Sequence, residues 1–269
     1  MTKLAFITDP HLDHAHRAAV TALCDSVKEA SVDAVVITGD IAQTNSIFTL
    51  LPLFQAAVQL PVYFVLGNHD YYRGHTVTTR EKIFNMCRTT TGLHYMRENP
   101  VQISKEWSMV GVDGWADARH GTPERQKIQI ADWAYINDYN EVGAHFAFNL
   151  QVRMDLARKL ADVEADLLSK LLERAVKDSE NILVLTHIPP FREATWHAGE
   201  LSNNDWLPWF SCKATGDVLM RHAEANPGHK FKVLCGHTHS KGRYAVNNVE
   251  VITGASEYGW PRIHEIINL

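Results

Sequence analysis

The chain opens on a short run that is apolar on both faces, Leu4–Thr8, as expected of a strand buried inside a parallel sheet. Val20, Leu23, Val27 and Ala30 then recur at spacings of three, four and three and predict an amphipathic helix, with Asp13 placed to cap its start. A second β-rich run, 33–38, is followed by a helix around Ile47–Val58, kinked or restarted near Pro52, and by a third strand at 61–66. Strand, helix, strand, helix, strand in this order predicts a parallel sheet joined by right-handed crossovers.

Beyond a helix near Thr78–Thr90 the segments shorten. Strand-like runs fall at 93–96, 101–104 and 107–112, and an irregular stretch reaches from Gly114 to about Gly143. A long helix over Phe148–Val176 carries Leu156, Leu160, Val163, Leu167 and Leu171 on one stripe. An apolar strand at 181–187 leads into a loop rich in proline, glycine and tryptophan, Ile188–Ser211. A helix near Thr215–Glu224, a strand at 231–235 and β-runs at 249–253 and 263–268 finish the chain. No repeat and no polar linker divides it, so the expectation is one domain over 1–269, elaborated at about 114–178 and 188–211.

Composition narrows the function. There are 26 Lys and Arg against 31 Asp and Glu, a formal charge of −5, and no basic run, which disfavours a broad nucleic-acid footprint but not a small phosphate-bearing substrate. The four cysteines form no CxxC pair and read as buried thiols in a reducing compartment. The N-terminal apolar run is too short for a signal peptide or a membrane span, so the expectation is a cytoplasmic protein with no membrane partner.

The strand ends carry the chemistry. Asp9-Pro-His11, Gly39-Asp40, Gly67-Asn68-His69-Asp70, His187 and Gly236-His237-Thr238-His239 each follow an apolar strand, where open α/β sheets bind ligands. Two histidines one residue apart mean little in a chain with 15 of them; five polar strand ends together mean more. The donors are carboxylates, imidazoles and one amide, without a thiolate, which suits a pair of catalytic cations rather than a structural zinc. The flanking segments 113–122 and 189–210 could shape a substrate cleft. Arg119, His120 and Arg192 are candidates there to meet a phosphate, and Trp196, Trp206 or Trp209 to stack on a ring.

The series DxH … GD … GNH[DE] … H … GHxH resembles the motif set of the calcineurin-like metallophosphoesterase superfamily, block by block and in order from residue 9 to residue 239. The resemblance implies an α/β fold, a four-layer αββα β-sandwich, with two divalent or trivalent transition-metal ions (Mn, Fe, Zn or Co). It also implies that Asp9, His11, Asp40 and His239 hold one ion, that Asp40 bridges, and that Asn68, His187 and His237 complete the second site. His69 would be the non-ligand histidine near the leaving group, with Asp70 holding its imidazole. The implied reaction is hydrolysis of a phosphomonoester or phosphodiester by a metal-bridging hydroxide. The pattern is similar to that of bacterial cyclic-nucleotide phosphodiesterases but is shared by members with other substrates, so nucleotide-derived and other small phosphoesters both stay open, as does the oligomeric state. The rival class is a regulatory module that keeps the metals and has lost hydrolysis; such a chain is expected to lack His69 or a ligand, and this one keeps all of them.

Overall fold

The computed structural model describes residues 2–125, 128–145 and 149–269. In chain order the elements are β1 (Lys3–Ile7), α1 (Arg17–Glu29), β2 (Ala34–Thr38), α2 (Thr44–Val58), β3 (Val62–Val65), α3 (Thr76–Thr89), β4 (Leu93–Tyr95), β5 (Val101–Gln102) and β6 (Trp107–Gly111). They continue as α4 (Asp132–Tyr135), α5 (Asn137–His145), α6 (Leu150–Asp178), β7 (Asn181–Leu185), β8 (Trp196–His197), β9 (Glu200–Leu201), α7 (Leu207–Phe210), α8 (Lys213–Ala225), β10 (Lys230–Cys235), β11 (Gly242–Val246), β12 (Val249–Thr253) and β13 (Glu265–Asn268).

Two sheets face each other. One runs β13-β1-β2-β3-β4, with β1 to β4 parallel and β13 antiparallel at the edge; the other runs β11-β12-β10-β7-β6-β5, with β12, β10, β7 and β6 parallel. Alternation along the strands sends Leu4, Phe6, Val36 and Val65 inward to meet Leu183, Leu185, Leu234 and Ile252 of the other sheet. The opposite faces, Ala5, Ile7, Val35 and Ile37 on one side and Ile182, Val184 and Val233 on the other, pack under α1–α3 and under α6 and α8. This is the αββα sandwich. The parallel strands bring the carboxyl ends of β1, β2 and β3 together with those of β7 and β10 at one edge.

Several expectations shift. Asp13 does not cap α1: the cap position is His16, and Asp13 Oδ2 accepts from Gln43 N at 3.1 Å, tying the β1 loop to the β2 loop. α2 runs through Pro52 without restarting, because Ile47, Leu51, Phe54 and Val58 are buried on one stripe. Burial of four large side chains, ~1.5–3 kcal/mol each, outweighs the ~3 kcal/mol that an interior proline costs. The long helix starts at Leu150, capped by the Asn149 side chain, which accepts from Gln151 N and Val152 N; the expected start at Phe148 lies outside the described residues. Its buried stripe is Ala157, Ala161, Glu164, Leu168 and Leu171, while Val163 is half exposed. Leu156, Leu160 and Leu167 of the expected stripe pack beside it, partly buried against the cores, and Glu164 is held inside by charge, at Arg80 and Arg97. The stretch expected to be irregular contains α4 and α5, and β11 was not anticipated.

Candidate metal centre

The strand-end loops lie side by side and are stitched by backbone bonds. Asp9 N donates to Gly39 O and His11 N to Asp40 O, while Gly236 N donates to His187 O. Asp9, His11, Asp40, His237 and His239 all have positive φ, between 39° and 70°. The left-handed region costs a residue with a Cβ roughly 1–2 kcal/mol, and such strain gathered in one place marks a site that geometry, not folding, demands. At Gly236 the demand is for space, since a Cβ there would stand 2.2 Å from Asp9 Oδ2.

Two groups of ligand atoms result, each drawn together within 4.8 Å: Asp9, His11, Asp40 and His239, and Asp40, His187 and His237. Asn68 joins the second, its Oδ1 3.0 Å from His187 Nε2 and 3.1 Å from His237 Nδ1. Asp40 belongs to both: its Oδ1 is 3.4 Å from His187 Nε2 and its Oδ2 3.8 Å from His11 Nε2. All seven expected ligands are thus brought together in the expected halves.

The outer ring nitrogens test whether a cation fits. His187 Nδ1 lies 2.7 Å from Thr38 O, and His237 Nε2 lies 3.0 Å from Trp209 O. Each carbonyl can only accept, so those nitrogens carry protons, and in the neutral rings the inner ones present lone pairs. His187 Nε2, His237 Nδ1 and Asn68 Oδ1 therefore converge as three acceptors within 3.0–3.3 Å of each other. Something positive belongs between them, and the donor set fits a transition-metal ion. The electrostatics of the protein alone point the same way. Burial opposes charge on His187, but the Asp40 carboxylate overrides it and pushes the imidazole up to about 10. Burial and the His187 charge push His237 down to about 3. Burial also opposes ionisation of Asp40, yet the imidazoles of His187 and His69 hold its carboxyl well below the usual range. A proton on His187 stands where a cation would be bound.

His69 sits at the mouth, its Nε2 3.9 Å from Asp40 Oδ2, T-shaped against His11 and stacked on Tyr72 with centroids 4.2 Å apart. Asp70 does not hold it. The Asp70 carboxylate accepts from Ile41 N, Ala42 N and Gly67 N at 2.8, 2.9 and 2.7 Å, so it ties the β2 loop to the β3 loop and is turned away from the neighbouring ring. Adjacent residues in a turn point in different directions, which the spacing in the motif does not reveal.

A cavity of about 330 Å³ opens onto the ligands, and a second of about 520 Å³ adjoins it, sharing His69, Tyr72, Ala131 and Tyr258. Arg119 and His120 line neither: Arg119 pairs with Asp117 and Asp162, and His120 Nδ1 bonds Ser211 Oγ at 3.0 Å. Trp206 and Trp209 do line the smaller cavity; Trp196 packs against Gly242 instead. Arg73, Tyr72, Asp132 and Tyr258 were missed. Tyr72 follows His69 by three residues, capping the 3-10 turn His69–Tyr71, a spacing that could have found it. Tyr258 follows β12, one more parallel strand end. Asp132 gave no sequence signal.

A parallel-stranded sandwich whose strand ends gather two ligand sets around one shared carboxylate defines a metal-dependent phosphoesterase. The chain belongs to the calcineurin-like phosphoesterase family, whose model matches residues 2–241. Among solved structures it is similar to the phosphopantetheinyl hydrolase from Mycobacterium tuberculosis, at 16% identity over 97% of this chain and 95% of that one with a TM-score of 0.63. It is also similar to a dimetal phosphatase from Danio rerio, at 14% identity over 94% and 87% of the two chains with a TM-score of 0.59. At these identities the likeness is one of fold. No curated protein matches the sequence. Among the described residues no helix is long and apolar enough to cross a membrane.

Proposed function

We propose that the protein hydrolyses a small phosphodiester at a two-cation centre held by Asp9, His11, Asp40 and His239 on one side and Asp40, Asn68, His187 and His237 on the other. The observation that carries the reading is the pair of ligand groups sharing Asp40. The two ions, when bound, supply Lewis acidity at the phosphoryl group and acidify the attacking water. The donor set suits Mn, Fe, Zn or Co and does not choose among them. Asp40 divides its two oxygens between the groups and so sets their separation. His69 faces the centre with Nε2 and lines both cavities, which places it to give a proton to the departing alkoxide. The unpaired thiols, Cys24, Cys212 and Cys235 buried and Cys87 half-buried, support a reducing, cytoplasmic setting.

The two cavities favour a diester over a monoester. A monoester carries one organic group and needs one chamber; a diester carries two. The smaller cavity contains the ligands Asp40, Asn68, His237 and His239 and is walled by the stacked pair Trp206 and Phe210, 5.0 Å apart, which suits a flat or apolar arm. The larger holds none of the ligands and offers Arg73, Gln43, His14 and Tyr135, which suits a polar or anionic arm. A nucleotide-derived diester meets both descriptions.

A matched pair of aryl esters with the same leaving group tests both levels. Manganese-loaded protein is expected to hydrolyse bis(p-nitrophenyl) phosphate with kcat/KM at least about tenfold above that for p-nitrophenyl phosphate, a difference of ~1.4 kcal/mol. Equal or reversed preference would remove the diester assignment and leave the phosphoesterase standing. Bound metals with no hydrolysis of either ester would favour the binding-module reading.

A further inference from the structure

An asparagine that ligates a cation has to present oxygen, but its amide group can rotate by half a turn and present NH₂ instead. At Asn68 the alternative is attractive, because a rotated NH₂ would donate to the lone pairs of His187 Nε2 and His237 Nδ1, now 3.0 and 3.1 Å from Oδ1. Such a rotation would satisfy the second ligand group with hydrogen bonds and close it to a cation. Something on the far side of the amide has to forbid it.

Asp132 occupies that side. Asn68 Nδ2 donates to Asp132 Oδ1 at 2.8 Å, and the Tyr72 hydroxyl donates to the same oxygen at 2.8 Å. Rotation of the amide would set Asn68 Oδ1 against an oxygen that is already accepting, so Oδ1 of Asp132 holds the amide in the ligating sense whether or not its Oδ2 carries a proton. The carboxylate is itself held in place. It opens α4, and Trp133 beside it meets Trp209 edge-on at 5.1 Å. Arg73 N donates to Tyr135 O, Asn137 N donates to Gly74 O, and the Asp138 carboxylate accepts from Thr76 N and Thr76 Oγ1. The segment is thereby clamped to the turn that follows His69.

We infer that Asp132 is a positioning residue of the metal centre: it fixes the rotamer of the Asn68 amide and so keeps the second cation site open. The inference rests on the two-cation reading above. Removing a residue that orients a ligand typically costs 10–100-fold in metal affinity.

Asp132→Asn is the decisive variant, because it keeps the shape of the side chain and the fold while its own NH₂ would tolerate the rotated Asn68. Manganese titration by calorimetry or equilibrium dialysis is expected to give wild type two ions per chain. The variant is expected to keep one affinity and lose at least tenfold in the other. In an Asn68→Ala background the same substitution is expected to change neither affinity further, since its effect runs through Asn68. Wild-type affinity at both sites in Asp132→Asn, or an equal loss with and without Asn68, would overturn the inference alone. Wild type that binds fewer than two ions would overturn the two-cation reading with it. Asp132→Ser, which removes the reach to Asn68, provides a second variant with the same expected loss.

Discussion

Two buried clusters of charged side chains flank the carboxyl end of β3, and they are built on opposite rules. In the first, Asp113 and Glu164 meet Arg80 and Arg97. Arg80 Nε lies 3.0 Å from Asp113 Oδ2 and its Nη2 2.8 Å from Glu164 Oε1, while Arg97 Nε reaches Asp113 at 3.5 Å and Glu164 at 3.1 Å. Tyr71 and Tyr95 add hydroxyl donors to Asp113, and Leu66 N donates to its Oδ1 at 3.0 Å. Two carboxylates face two guanidiniums, so the charges cancel. In the second, Asp9, Asp40, Asn68 and four histidines bring two carboxylates and a surplus of lone pairs together, and among the described residues the positive charge there is what the imidazoles can supply by protonation. A cluster that balances itself is scaffold. A cluster left electron-rich awaits a cation. The two are joined: Leu66 precedes Gly67-Asn68, and His187 N donates to Asp113 O at 2.9 Å, so the balanced cluster is the backing on which two of the ligands stand.

Substitution in each cluster should break a different property. Asp40→Ala removes the side chain that both ligand groups share. Losing several kcal/mol of charge stabilisation corresponds to a fall of ~10³-fold or more in kcat/KM, while far-UV circular dichroism should still report a folded chain. Activity within tenfold of wild type would mean that the reacting site lies elsewhere. Asp113→Ala should do the reverse. It leaves two buried guanidiniums to share the single Glu164 carboxylate, so one buried positive charge is uncompensated, and should cost about 3–5 kcal/mol of folding stability, read from urea unfolding, while the folded fraction still binds two cations. Loss of cation binding with unchanged stability would make Asp113 part of the centre instead of its backing.

Acid should sharpen the same contrast with a smaller effect. Burial opposes ionisation of Asp113, but the Arg80 and Arg97 guanidiniums outweigh it and hold the carboxyl below its ordinary value. A depressed pKa in the folded state means that the stabilisation is fully present above the unfolded pKa, about 3.9, and is lost as pH falls below it toward the folded value. Stability should therefore decline below about pH 4 by at most ~1.4 kcal/mol per pH unit for this group. In Asp113→Asn that part of the decline should vanish; an unchanged acid limb would assign it to other carboxylates.

The two clusters also differ in how far the sequence disclosed them. The ligands were legible because a strand end that holds a metal admits few residue types. Asp9, Asp40, Asn68, His187 and His237 therefore stand out against the apolar runs that precede them. The sandwich was legible through its short two-sided apolar strands and the helices between them. The backing was not. Glu164 lies on the buried stripe of α6, where a charged residue reads as the solvent face until Arg80 and Arg97 are seen beside it. Asp70 misled because adjacency in the chain does not aim a carboxylate, and its oxygens went to backbone N–H groups of two loops. Asp132 was invisible because it meets Asn68 only after the chain has travelled 64 residues and returned. Arg119 was plausible by charge alone, yet its guanidinium is bound to Asp117 and Asp162, and Arg73 is the arginine that faces the cavity.

If the electron-rich cluster holds a pair of cations, they can be counted. Equilibrium dialysis of the protein against manganese at neutral pH, followed by elemental analysis, should give two ions per chain for wild type. A wild-type count of zero or one would mean that the ligands sharing Asp40 do not form a two-cation centre.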